Sequence, residues 1–392
     1  MQPVICSIAR TPIGRFNGGL APLSAMDLGG VAITGALERA GLAGSDVDEV
    51  MFGHVLQAGQ GQITARQAAV RAGVPMTVPA VTINKVCLSG LTAIQEAANH
   101  VRLGESTFVV AGGMESMTNA PYVLPGAREG YRMGNKEVVD VMTHDGLFCA
   151  FDSCMMGESS DRKNDDLGIG RTEQDAWSAS SHARAAKATE DGTFAREIVS
   201  VPVPQRRGEP INVDSDEGIR TATTQESLGS LRPAFHPGGT ITAGNASQIS
   251  DGAAAVVVAD RAAAEAAGLP IIAEIVGYGQ TAGPDATLHE RPAEALRIAL
   301  KRSSLDVGDL DLVEFNEAFA SVALWSARML GIDDARVNVH GGAVALGHPL
   351  GATGARIVVT LLNALAARGG EFGAAALCGG GGQGDAMIVR MV

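Results

Sequence analysis

Residues 36–54, ALERAGLAGSDVDEVMFGH, and residues 299–317, ALKRSSLDVGDLDLVEFNE, lie over one another without a gap at a shift of 263 positions. Eight of the nineteen pairs are identical: Ala36/Ala299, Leu37/Leu300, Arg39/Arg302, Leu42/Leu305, Asp46/Asp309, Asp48/Asp311, Val50/Val313 and Phe52/Phe315. Average composition would give about one or two such matches, so the register predicts an internal duplication. A helix-turn-strand pattern shared without common descent would account for the periodicity but not for the residue types. Carried onward, the same shift sets Lys85 on His348 and Cys87 on Leu350. Two halves related by a pseudo-twofold axis would point two equivalent helix N-termini at one central site.

The rest of the chain fits an α/β frame around this repeat. Val4–Ile8 reads as a strand, and Ser24 with Asp27 three residues on reads as the start of a helix that ends near Gly41. Strands follow at Val47–Phe52 and at Phe108–Ala111, the second running into Gly112-Gly-Met-Glu-Ser116. From Asn119 to Gly244 charges, prolines and turn residues crowd in, and one capped helix begins at Thr172-Glu-Gln-Asp175. Alternation resumes with an apolar strand at Ala253–Ala259. The expected division is a first half of residues 1–118 plus 245–268, an inserted loop-rich domain of residues 119–244, and a second half of residues 269–392.

Composition narrows the class. The chain has 392 residues, is 46% hydrophobic and carries a formal charge of −13. It is long and apolar enough for more than one core, and its charge repels nucleic acid and anionic membranes at long range. A local basic pocket for an anionic ligand remains compatible with that field. Five cysteines without a signal-like N-terminus point to a reducing, cytoplasmic setting and not to a disulfide framework. No apolar run reaches the ~20 residues of a membrane span.

Chemistry concentrates at three places. In Val81-Thr-Ile-Asn-Lys-Val-Cys87-Leu-Ser89-Gly90-Leu91 an apolar run ends at Cys87, and Leu91, Ile94, Ala97, Ala98 and Val101 follow at helical spacing. A thiol at that strand-to-helix turn faces free backbone N–H groups and the positive end of a helix dipole, which favour the thiolate, and Lys85 could add to this. A buried, inert cysteine is the commoner fate of the residue type. Asn338-Val-His340-Gly-Gly-Ala-Val-Ala-Leu-Gly347-His348-Pro349 supplies a histidine set opposite the cysteine by the internal symmetry, and so a candidate general base. Ala374-Ala-Ala-Leu-Cys378-Gly-Gly380-Gly-Gly-Gln-Gly384 ends a strand in a second cysteine. Gly379, Gly381 and Gly384 match G-x-G-x-x-G, but only eight residues remain for the helix a dinucleotide site needs; a backbone oxyanion hole explains these glycines better. Asn316, at the end of the second repeated strand, suits water orientation or a helix cap. Cys149, Cys154 and His144 lack a second close pair to complete a metal site, so no metal is expected.

Taken together, Asn84-Lys-Val-Cys87-Leu-Ser-Gly90, Gly112-Gly-Met-Glu-Ser116, Asn316-Glu-Ala-Phe319, Gly341 through Gly351 around His348, and Cys378-Gly-Gly-Gly-Gly382 resemble, in order and over the whole chain, the thiolases of the acetyl-CoA C-acetyltransferase type. The resemblance implies two duplicated α/β halves in a five-layered α-β-α-β-α core with an inserted loop domain. It implies reversible Claisen condensation of two acetyl-CoA to acetoacetyl-CoA and CoA, in ping-pong order. Cys87 would be the acylated nucleophile, His348 its base, and Cys378 the base that forms the acetyl carbanion. Asn316 would hold a water, and the N–H groups of Cys87 and Gly380 an oxyanion. By the same likeness Arg220, Ser227, Phe235, Ala243, Ser247, Met156 and Phe319 would contact CoA or the acyl chain. Coenzyme A then enters as substrate and product, with no resident cofactor, and Gly126–Gly134 resembles a tetramer-forming loop. A 3-ketoacyl-CoA thiolase of fatty-acid or sterol side-chain breakdown, and a non-catalytic acyl-CoA-binding protein, are the alternatives. Leu88, Met155 and the stretch Thr287–Ala293 depart from the family pattern, and are expected to bear on acyl-chain preference.

Overall fold

A computed structural model describes residues 1–392. The first half runs β1 (Pro3–Arg10), α1 (Ala25–Ala40), β2 (Glu49–Gly53), α2 (Thr64–Arg71), β3 (Ala80–Ile83), α3 (Ser89–Leu103) and β4 (Phe108–Ser116). The long helices α4 (Met156–Leu167) and α5 (Arg171–Glu190) follow, and then β5 (Ser250–Asp260). The second half comprises β6 (Ala273–Ala282), α6 (Arg291–Ser303), β7 (Leu312–Phe315), α7 (Ala320–Leu330), α8 (Leu350–Arg368), β8 (Phe372–Gly379) and β9 (Gln383–Met391).

The duplication is visible to the residue. α1 ends at Ala40 and α6 at Ser303, single 3₁₀ turns span Gly44–Asp46 and Val307–Asp309, and β2 and β7 open at Glu49 and Leu312, all at the shift of 263. The first repeated strand begins two residues later than the sequence suggests, because Val47 closes the 3₁₀ turn and packs inward. Ser24 caps α1 as expected: its Oγ accepts from Asp27 N–H, the Asp27 carboxylate takes the Ser24 N–H, and Gly41 closes the helix at φ 71°.

Sheet order is β7-β8-β9-β6-β1-β5-β4-β2-β3, so the run β2-β4-β5-β1 of one half answers β7-β8-β9-β6 of the other. The two runs join where Val4 and Ile5 of β1 meet Glu274 and Ala273 of β6. Three cores give the layers. Leu28, Ile33 and Ala36 of α1 pack on Ala255 and Val257 of β5. Val256 and Val258, on the opposite face of the same strand, pack with α3 and α8, which also cover Leu377 and Met387 of the second half. Leu296 and Leu324 of α6 and α7 cover the far face, over Val313 and Ile388. Alternate residues of β5 thus serve different cores, and the section reads α-β-α-β-α. α8 is long and apolar enough to cross a membrane, but it is buried along nearly its whole length in the core.

Residues 119–244 add no strand to this sheet; they form two-stranded ribbons and the helices α4 and α5. The capped helix expected from Thr172 begins earlier. Gly170 is its cap, and Glu173 takes the Gly170 N–H at 2.8 Å.

Candidate active site

The turn carrying Cys87 is strained and braced. Val86, a β-branched residue, sits at φ 51°, a conformation that persists only where the surroundings impose it. Here Asn84 Oδ1 accepts the Val86 N–H at 3.1 Å and Ser89 Oγ donates to the Val86 carbonyl at 2.6 Å. Lys85 does not face the thiol as the sequence suggested. Its Nζ donates to both oxygens of Asp385, at 2.8 and 2.9 Å, and Thr92 and Tyr278 donate to the same buried carboxylate. Asp385 lies in β9, so the second half clamps the turn of the first.

His348 arrives from the symmetric junction at the head of α8. Its Nε2 lies 3.3 Å from Cys87 Sγ and its Nδ1 lies 2.6 Å from Thr353 Oγ1, which itself donates to the Pro349 carbonyl. Because the Thr353 hydroxyl is committed as that donor, it accepts from Nδ1–H, leaving Nε2 free to accept from the thiol. Asn316 Nδ2 stands 3.4 Å from the same Nε2, and its buried Oδ1 has no partner. Asn338 sets the strand end that carries Asn316 by exchanging two hydrogen bonds with the Phe315 backbone, at 2.8 and 2.9 Å. Glu115, buried, accepts the N–H groups of Val55, Leu56 and Gly351 and so ties α8 to the first half.

Burial lowers the His348 pKa to about 3, with help from Arg356. Enclosure likewise pushes the Cys87 thiol up to about 12, against the backbone N–H groups of Cys87 and Gly380 that pull it down. The sequence led us to expect a favoured thiolate. The two N–H groups are there, but desolvation outweighs them in the unliganded protein. Cys378 is also pushed well up, by burial and by the neighbouring Cys87 sulfur.

Cys87, His348, Cys378, Gly380, Met156, Ser247 and Phe319 line one cavity of about 60 Å³, with Leu147, Leu288 and Leu350 closing its apolar side. Asn316 stands behind His348. The remaining expected contacts lie outside the cavity: Arg220, Ser227 and Ala243 are exposed, and Phe235 packs edge-on against Phe319 at 6.2 Å. Ser227 is engaged with Thr224 in a capping box. Leu88 does not line this cavity; it is fully buried, and a Cβ at Gly379 would meet its side chain at 2.6 Å. Cys149 and Cys154 face each other across a short ribbon, and His144 pairs with Asp145. Sequence reading gave no role to Thr353, Asp385 or Glu115, although Thr353 and Glu115 stand in glycine-rich stretches that the sequence singles out.

Residues 3–262 match the thiolase N-terminal domain and residues 269–391 the thiolase C-terminal domain. A probable acetyl-CoA acetyltransferase of Mycolicibacterium smegmatis is 52% identical over 99% of this chain and 100% of its own length. The acetyl-CoA acetyltransferase of Escherichia coli is 48% identical over 99% of this chain and 98% of its own. The crystal structure of the Bacillus anthracis acetyl-CoA acetyltransferase superposes with a TM-score of 0.97 at 40% identity, covering 100% of this chain and 99% of that one. With the paired halves, the cysteine-histidine junction and these matches along its whole length, the chain belongs to the thiolase family.

Proposed function

We propose that this protein joins two acetyl-CoA molecules into acetoacetyl-CoA and CoA, and runs the thiolysis in reverse, through an acyl-cysteine. The observation that carries the reading is the 3.3 Å contact of Cys87 with His348 beside Cys378 in one small cavity. The relatives' names point to the same chemistry. Cys87 attacks the thioester carbonyl while His348 Nε2 takes its proton, and the pair of backbone N–H groups at Cys87 and Gly380 receives the oxyanion. CoA leaves with the proton from His348. A second acetyl-CoA then binds, Cys378 passes its thiol proton to the freed His348 and, as the thiolate, removes a proton from the methyl carbon, and the carbanion attacks the acyl-Cys87 carbonyl. Asn316 and His348 face the enolate oxygen, Asn316 through a water. The electrons of the Cys87–acyl bond return to sulfur, which takes the proton back from His348, as acetoacetyl-CoA departs. Holding the first acyl group covalently separates the two binding steps in time, so the entropy of joining two thioesters is met in stages.

The cavity of about 60 Å³, closed by leucines and Met156, suits a two- to four-carbon acyl group. Arg220, Ser227, Phe235 and Ala243 would meet the CoA body outside it. We place the protein in the cytoplasm, consistent with five unpaired cysteines, and assign residues 119–244 as the separate unit that binds CoA and builds a tetramer.

The test is acetoacetyl-CoA thiolysis by wild type, Cys87→Ala and Cys378→Ala, with intact-protein mass spectrometry after acetyl-CoA alone. Wild-type turnover is expected, with an acetyl adduct that persists in Cys378→Ala and vanishes in Cys87→Ala. An adduct without acetoacetyl-CoA turnover would overturn the short-chain assignment, and no adduct from any acyl-CoA would overturn the enzymatic one.

A further inference from the structure

On the flank of the molecule, away from the acyl cavity, α5 and the turn after it, the segment before α8 and the last turn of α8 enclose a cleft of about 660 Å³. Arg184, Lys187, Arg196, Arg368 and His340 line it, with Asp191 as the one carboxylate. On a protein of formal charge −13 this is a local reversal of sign. Lys187, Arg196 and Arg368 are exposed and carry no ion pair. Arg184 is fixed by donating to the carbonyls of Val337, Asn338 and Asp334 and makes no ion pair with a carboxylate. Asp191 is turned onto Thr193, whose N–H and hydroxyl donate to it at 3.1 and 2.6 Å. His340 stands against the edge of Phe194, ring centroids 6.3 Å apart, and its Nε2 is closed to solvent without a hydrogen-bond partner.

Four cations converging on one concavity repel each other unless an anion sits between them. Guanidinium forks and an ammonium match the oxygens of a phosphate group. We propose that this cleft binds a phosphate-bearing anion of the size of pyrophosphate or a nucleotide polyphosphate. The cleft shares no residue with the acyl cavity. It is also distinct from the surface carrying Arg220, whose N–H donates to His182 of α5, a residue that does not line the cleft.

Isothermal titration of the wild-type protein with inorganic pyrophosphate at about 0.15 M salt should give saturable heat, since short-range pairing in a cleft survives screening that removes diffuse attraction. The variant Arg196→Ala/Arg368→Ala should bind about tenfold or more weakly and still thiolyse acetoacetyl-CoA at the wild-type rate, which certifies its fold. Arg220→Ala should bind pyrophosphate as wild type does. Tighter binding of ATP than of pyrophosphate would identify a nucleotide as the occupant, and equal binding a bare polyphosphate; either supports the site. Absence of saturable heat in the wild type, unchanged binding in the double variant, or displacement of pyrophosphate by CoA would overturn the proposal.

Discussion

At the scale of single residues, Cys87 and His348 form a neutral pair at rest. With the thiol pushed up to about 12 and the imidazole lowered to about 3, both by burial, neither carries charge near neutrality. In the mechanism we propose, the proton then moves when substrate arrives, not before, with the imidazole unprotonated throughout the neutral range. Alkylation of Cys87 by iodoacetamide, followed by mass spectrometry, should accordingly rise with pH up to about pH 9 without levelling off. A plateau between about pH 6 and 8 would mean a preformed thiolate-imidazolium pair and would contradict this account. The identity of these residues was legible because each closes an apolar run with small residues, a local pattern. Their protonation was not legible, because desolvation depends on which distant side chains close over the sulfur, and the helix N-terminus visible in sequence is the weaker effect. Asp385 escaped for a related reason: its partner Lys85 is 300 residues away in the chain.

At the scale of elements, the site exists because α3 and α8 approach backbone to backbone near their N-terminal turns. A Cβ at Gly354 of α8 would lie 2.4 Å from the Leu91 backbone nitrogen of α3, and one at Gly90 would lie 2.8 Å from the Ala355 nitrogen. These glycines serve close approach, not turning. That contact lets the two junctions place sulfur and imidazole in hydrogen-bonding reach. Gly354→Ala should push α8 away from α3, lowering kcat/KM by about 100-fold, the scale of a misplacement near 1 Å, with a destabilisation of about 1–3 kcal/mol from overpacking. Gly369→Ala is the control. It sits at φ 66° with nothing within 4 Å of an added Cβ, so it should cost about 1 kcal/mol in a thermal melt and leave turnover intact. Wild-type kcat/KM in Gly354→Ala would refute the packing argument. The repeat announced that two junctions are equivalent, but the glycine contact appears only once the helices cross.

At the scale of the whole molecule, the inserted segment is fixed to the core in one part and projects from it in another. Arg10 of β1, fully buried, pairs with Glu197 and donates to both oxygens of Asp216, while Thr360 and Asn363 of α8 also donate to Glu197. Charges so enclosed are specific only when every partner is present, so this cluster sets the inserted residues beyond α5 rigidly against the first strand. Residues 122–138 have no such anchor. Tyr122, Leu124 and Met133 are 66%, 52% and 92% exposed, and Val81 on the edge strand β3 is 41% exposed. Apolar side chains presented on a projecting ribbon and on an open sheet edge call for cover by further copies of the chain. The ribbon, which carries the stretch Gly126–Gly134, is the surface we assign to joining dimers into a tetramer. Light scattering should then return about four times the 40.1 kDa chain mass. Met133→Asp with Leu124→Asp should halve that mass while thiolysis per chain persists, because none of the residues lining the cavity lies on the ribbon. A wild-type mass of two chains, or a tetramer unmoved by the paired substitutions, would remove the ribbon from the assembly.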